Sequence, residues 1–123
     1  MPHKKFICAV IGLSDNPERY AYKAAERLLL HGYPVIGYGL RPCTVMGISV
    51  ITNKHAVTGI DTVTLYVGPA RQDAWLPLIL DLAPRRVIFN PGTENHIIEQ
   101  KLIDSGIEVI EACTLVMLAT GEF

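Results

Sequence analysis

Several residues in this sequence could take hold of an anion, and they fall just beyond predicted strands. The first group is a turn, Gly12-Leu13-Ser14-Asp15-Asn16-Pro17, behind the apolar run Phe6 to Ile11. Glycine at its start admits backbone angles closed to other residues and lets a ligand approach the main chain. Asn16 suits a helix N-cap and Pro17 the first helical position, so uncommitted N–H groups would face the turn. A helix N-terminus at the carboxyl end of a strand is a ready phosphate site. A plain strand–turn–helix joint that binds nothing fits the same letters. The second element is Arg41, within Gly39-Leu40-Arg41-Pro42 after the second predicted strand. A guanidinium there could hold a ribose phosphate through paired charge-assisted hydrogen bonds, or simply stand in solvent. Arg19 and Lys23, one helical turn apart, would add positive charge beside the first turn or form a solvated helix face.

An ordinary dinucleotide fingerprint requires G-x-G-x-x-G and an acidic residue after the second strand. Two of the three glycines are missing here, and Tyr38-Gly39-Leu40-Arg41-Pro42 offers no carboxylate. NAD is therefore disfavoured. Arg41 shifts the expectation to a ligand with a phosphate on the adenosine ribose: NADP on the 2′ oxygen, or coenzyme A on the 3′ oxygen with a pyrophosphate besides. The other reactive side chains form no obvious centre. Asp61, Asp73, Glu94 and Glu99 lie on different elements, with no carboxylate pair standing out. His3, His31, His55 and His96 are scattered without ligand spacing and read as surface residues, so no metal is expected. Cys8, Cys43 and Cys113 are odd in number and widely spaced, which argues against a disulfide framework or a zinc site and fits a reducing compartment. Trp75 reads as a core residue.

The elements that must position these residues alternate. Strands are expected at Phe6–Gly12, Pro34–Tyr38, Thr62–Val67, Arg86–Asn90 and Ile107–Ile110, with an edge strand over Ile48–Ile51 and a single turn at His55–Val57. The first helix opens at Pro17 and buries Ala21, Ala24, Ala25, Leu28 and Leu29. Gly39–Gly47 and Gly68–Asp73 read as loops. A helix over Ala74–Leu82 takes Asp73 as N-cap, which leaves Pro77 in the first turn, where it is tolerated. The next helix turns Ile97, Ile98, Leu102 and Ile103 to the core and stops at Gly106; a short one follows over Cys113–Ala119. The first strand lacks polar alternation, as a strand covered on both faces does. The sequence thus specifies an α/β fold: a three-layer, Rossmann-like, doubly wound and mainly parallel sheet. Ligands bind such sheets where the winding reverses, beside the loop after the first strand.

Residues 1–123 read as one domain, without repeat, linker or low-complexity segment. Half of them are hydrophobic, which excludes disorder. A net charge of −1 with no long basic run argues against nucleic acid or an anionic membrane as partner. No leader pattern or membrane span is evident, so a cytoplasmic location is expected.

The chain resembles the single-domain, Rossmann-like CoA-binding family, whose fold is shared by the N-terminal domain of the succinyl-CoA synthetase α subunit. The resemblance is carried by Val10-Ile11-Gly12-Leu13-Ser14-Asp15-Asn16-Pro17, the pair Tyr22-Lys23, and His31-Gly32-Tyr33-Pro34-Val35-Ile36. Val87-Ile88-Phe89-Asn90-Pro91-Gly92 and Gly106-Ile107-Glu108-Val109-Ile110-Glu111-Ala112-Cys113 complete it. It implies that the Gly12–Pro17 turn, with Leu13 and Asp15 in it, holds the phosphates of coenzyme A or an acyl-CoA, supported by Arg19 and Lys23. It implies that Gly39, Leu40, Arg41 and Pro42 line the adenosine end, although the family's usual V-N-P keeps only its proline here. Val67, Gly68, Pro69 and Arg71 would close the adenine side. Cys113, at a helix start where a thiolate is favoured, could form a mixed disulfide with a CoA thiol or serve as a small buried hydrophobe, and Cys43 likewise. The resemblance implies binding without catalysis. An NADP-dependent, reductase-like domain and a ligand-free interaction subunit are the alternatives, and a protein partner or a second copy of the chain stays open.

Overall fold

The computed structural model describes residues 5–123, so His3 lies outside the described residues. Strands β1 (Ile7–Ile11), β2 (Val35–Tyr38), β5 (Ile60–Leu65), β6 (Arg86–Phe89) and β7 (Glu108–Glu111) form one sheet in the order β2-β1-β5-β6-β7, every pair parallel. The chain winds outward from β1 to β2, returns to the centre at β5, then winds the other way. The reversal falls between β1 and β5, as the sequence requires of a doubly wound sheet.

Helices α1 (Tyr20–Leu30) and α4 (Thr114–Thr120) cover one face; α2 (Leu76–Leu82) and α3 (His96–Asp104) cover the other. Alternation along β1 follows from the pleat: Cys8 and Val10 pack with α1, while Ala9 and Ile11 join the α2/α3 core, all four fully buried. Ala21, Ala24, Ala25 and Leu28 form the buried stripe of α1, and the small alanines let it lie close to the sheet.

Local structure departs from the sequence reading in identifiable places. Helix α1 begins at Tyr20 rather than Pro17. Asn16 turns its Oδ1 to the Glu18 N–H (3.0 Å), and its carbonyl accepts from Arg19 (3.0 Å), so Asn16 closes a turn ahead of the helix. Side-chain bonding of Asn two residues on competes with helical capping in this way. Within Gly39–Gly47, Thr44–Val45 forms β3 and pairs antiparallel with β4 (Ile48–Ser49). Met46 and Gly47, both at positive φ (49° and 82°), make the tight turn such a two-residue hairpin needs. The expected edge strand is thus half of a hairpin, tied to the sheet by a bridge from Ile51 to Tyr38. His55–Val57 forms no turn; the turn falls at Thr58–Gly59. Pro69–Ala74 is a 3-10 helix instead of a loop, and α2 is capped by Trp75 rather than Asp73, with Pro77 in its first turn as expected. On α3 only Ile98 and Leu102 reach the core, while Ile97 and Ile103 are exposed (69% and 50%). A helix on the outer half of a sheet buries a narrow stripe, and Glu99 occupies the place beside Ile98 and Leu102. Leu29 lies at the edge of the α1 stripe, 36% exposed.

The face toward α4 carries a buried polar row that sequence periodicity does not reveal. Asn90 donates to Thr64 Oγ1 (2.7 Å) and to the Leu65 carbonyl (3.0 Å), and its Oδ1 accepts from the Thr114 N–H (2.8 Å). Thr64 and Thr114 share a further hydroxyl bond of 2.7 Å. Asn90 thereby fixes where α4 starts relative to β5 and β6, since buried polar groups left unpaired are costly.

Candidate functional site

Loops at the carboxyl edge converge where the winding reverses. They enclose a cavity of about 240 Å³ lined by Gly12, Leu13, Ser14, Arg19, Leu40, Arg41, Cys43, Tyr66, Val67, Arg71 and Trp75. Gly12, at φ +98°, is required twice over: the angle disfavours side chains, and a Cβ would stand 3.0 Å from the Tyr66 carbonyl. A Cβ on Gly39 would meet the Leu13 carbonyl at 2.5 Å, so the loops after β1 and β2 touch main chain to main chain.

The donors of the first turn are largely committed. The N–H groups of Gly12 and Leu13 both donate to the Tyr38 carbonyl (2.9 and 2.8 Å). Asn16 N–H donates to Ser14 Oγ (3.0 Å), and Pro17 has no N–H to offer. Among the described residues, the Ser14 and Asp15 amides carry no internal acceptor. The uncommitted N–H donors of the turn are therefore fewer, and lie earlier, than a helix opened at Pro17 would have supplied.

Positive charge makes up for that. Arg19, Arg41 and Arg71 reach the cavity from three separate segments, and no Asp, Glu or His is among its lining residues. Among the described residues none of the three arginines is in a salt bridge. In a chain of net charge −1, three unpaired guanidinium groups around one hollow create a local field suited to a polyanion.

The expected residues divide. Gly12, Leu13, Ser14, Arg19, Leu40, Arg41, Val67 and Arg71 line the cavity; Asp15, Asn16, Gly39, Pro42, Gly68 and Pro69 belong to the same loops without lining it. Pro17 and Lys23 face a different hollow between α1 and α4, with Tyr22, Arg27 and His31. Tyr66, Trp75 and Cys43 are lining residues too, although the sequence pattern marks Trp75 as core and gives Tyr66 no role beyond its strand. Trp75 does both, being 2% exposed and covered by the Lys54 ammonium 4.7 Å from its ring. Burial pushes the Tyr66 phenol up to about 12, against the lowering pull of the Thr114 and Thr64 hydroxyls. It therefore stays neutral throughout the physiological range. Gln72, 1% exposed, donates to the carbonyls of Val67 (2.9 Å) and Thr93 (2.6 Å) and so pins the loop after β5 to the loop after β6. A polar residue inside a 3-10 segment gives no such signal in sequence.

The histidines and acids hold one surprise. His96, Glu99 and Glu111 bring their ligand atoms within 4.8 Å of one another, so a carboxylate pair does form, from α3 and the end of β7. No helix of the described residues is long and apolar enough to cross a membrane.

Residues 7–119 match the profile of the family described as CoA binding domain. A crystal structure of an uncharacterized protein is 45% identical, with a TM-score of 0.94 over 96% of this chain and 98% of that one. A Thermus thermophilus protein is 23% identical, with a TM-score of 0.85 over 96% of this chain and 90% of that one. The dinucleotide-forming acetyl-coenzyme A synthetase 1 of Ca. Korarchaeum cryptofilum, in complex with phosphate and ADP, is 15% identical. Its TM-score is 0.71, over 86% of this chain and 25% of that one. These last two likenesses are of fold. No curated protein matches the sequence.

Proposed function

We propose, from the premise that this chain belongs to the CoA-binding domain family, that it binds the nucleotide end of coenzyme A or an acyl-CoA in the cavity between β1 and β5. The observation that carries this reading is the meeting of Arg19, Arg41 and Arg71 around one hollow without a carboxylate. Coenzyme A carries a 3′-phosphate and a pyrophosphate. The Ser14 and Asp15 amides with Arg19 suit the pyrophosphate; Arg41, beyond β2, suits the ribose phosphate. Leu40 and Val67 supply apolar surface for the adenine, with Trp75 packed behind them. Ligand pockets usually measure about 300–1,000 Å³. A hollow of about 240 Å³ lies below that range, so it would enclose only part of the nucleotide, with the rest and the pantetheine arm along the surface.

The reading is of a binding module rather than a catalyst. The lining offers no His, Asp or Glu as general acid or base, and burial holds the Tyr66 phenol neutral. Arg41 would serve a 2′-phosphate as well as a 3′-phosphate, so NADPH belongs in the test. Calorimetric titration with CoA, dephospho-CoA and NADPH should give the tightest binding for CoA. Arg41→Ala should weaken CoA about tenfold, the low end for a charge-assisted bond on an exposed side chain, and leave dephospho-CoA nearly unchanged. Tighter binding of NADPH than CoA overturns the ligand assignment; equal losses for CoA and dephospho-CoA overturn the role of Arg41.

A further inference from the structure

The structure assigns a second site: we infer that His96, Glu99 and Glu111 bind a divalent transition-metal ion of the zinc class at the outer edge of the sheet. His96 is the first residue of α3, Glu99 follows three residues later on the same face, and Glu111 ends the neighbouring edge strand β7. One imidazole nitrogen and two carboxylate oxygens, all within 4.8 Å, form a three-ligand set. Tetrahedral zinc with bonds of about 2.0–2.1 Å needs its ligand atoms roughly 3.3 Å apart. The remaining gap of about 1.5 Å is within reach of a rotamer adjustment, because His96 and Glu111 are exposed.

Glu99 is the fixed point. It is 8% exposed, an unusual place for a carboxylate, and its position is locked by the helix cap. Its Oε2 accepts from the Asn95 N–H (2.8 Å), while Asn95 Oδ1 accepts from the Ile98 N–H (3.2 Å). No N–H group of the described residues donates to Oε1. The Glu99 carboxylate thus faces a second carboxylate and an imidazole with no cationic side chain of the described residues paired to it, an arrangement that a bound cation would neutralise. Among the described residues, neither acid has a salt bridge.

Mixed nitrogen and oxygen donors select the ion. Imidazole favours zinc, nickel, copper and iron over magnesium or calcium, and three protein ligands leave a position for water. The set lies on α3 and β7, apart from the lining of the arginine cavity, so the inference stands whether or not coenzyme A binds there.

The test is calorimetric titration of the full chain with zinc chloride in chelator-free buffer, repeated with His96→Asn and Glu111→Gln. Both side chains are exposed, so both variants should keep the metal-free melting temperature close to that of the original, which a thermal scan checks. One zinc per chain is expected, with at least tenfold weaker binding in each variant, given that even outer-shell losses cost 10–100-fold. Titration with Co²⁺ supplies a second readout: its visible spectrum separates nitrogen and oxygen ligands from thiolate, and no thiolate band is expected. Absence of binding at millimolar zinc, affinity unchanged in both variants, or a thiolate spectrum pointing to Cys43 or Cys113 would each overturn the site.

Discussion

Replacing Gly39 by alanine probes the contact on which the candidate site depends. The added Cβ would stand 2.5 Å from the Leu13 carbonyl oxygen and 3.0 Å from Val50 Cγ1, where ordinary contact begins at 3.4 Å. The Leu13 loop must therefore retreat by 3.4 − 2.5 = 0.9 Å. Neither side yields easily. Leu13 is held by its N–H to the Tyr38 carbonyl (2.8 Å), and Gly39 by its N–H to the Ile51 carbonyl (3.1 Å). Overpacking of this kind costs about 1–3 kcal/mol. In a domain of this size each kcal/mol moves Tm by roughly 3–6 °C, so a fall of about 3–18 °C is expected. The same displacement parts Leu13 and Ser14 from Leu40 and Arg41, so calorimetry should also show weaker binding of coenzyme A. Gly68→Ala is the control for stability: its Cβ meets nothing within 4 Å and its φ is −62°, so its Tm should barely move. A Gly39→Ala protein that melts with the original and binds CoA equally well would refute the reasoning about apposed loops.

Two further outcomes follow from buried and charged groups. Asn90→Ala strands the Thr114 N–H in the interior and removes a donor from Thr64 Oγ1 and the Leu65 carbonyl, and should lower stability by about 2 kcal/mol or more. A urea midpoint shift worth less than about 1 kcal/mol would show that water replaces the lost bonds. For Asp61, burial works to raise the carboxyl, but hydrogen bonds from Arg85 and Thr62 outweigh it and hold it below the usual range. Its contribution is therefore present above the unfolded value of about 3.9 and disappears as pH falls through the folded value. With Arg85 more than half exposed, that contribution is under about 1 kcal/mol. Asp61→Asn should be slightly less stable than the original at pH 7 and equal to it at the acid end of a series of melts; a difference constant across the series would contradict the linkage.

The local letters of this chain carry its layers. Unbroken apolar runs such as Phe6–Ile11 and Val87–Phe89 suit strands covered on both sides, and Ala21, Ala24, Ala25 and Leu28 recur at the spacing of a buried helix stripe. From these, with the handedness of crossovers, the doubly wound sheet and the loop edge at its winding reversal follow before any coordinate is known. Arg41 and the Gly12 turn are likewise legible, because each is a residue type whose chemistry is tied to a place beyond a strand. Where competing local hydrogen bonds decide, the letters mislead: Asn16 could cap a helix or close a turn, and it closes the turn. What lies far apart in sequence is the work of tertiary structure alone. Arg19, Arg41 and Arg71 sit in three connections that only the order of β2, β1 and β5 brings around one cavity. Glu111 approaches His96 and Glu99 only because β7 is the neighbour of β6 and α3 packs beside it. Strand order is settled by packing summed over the whole domain, and no short stretch of sequence contains that sum.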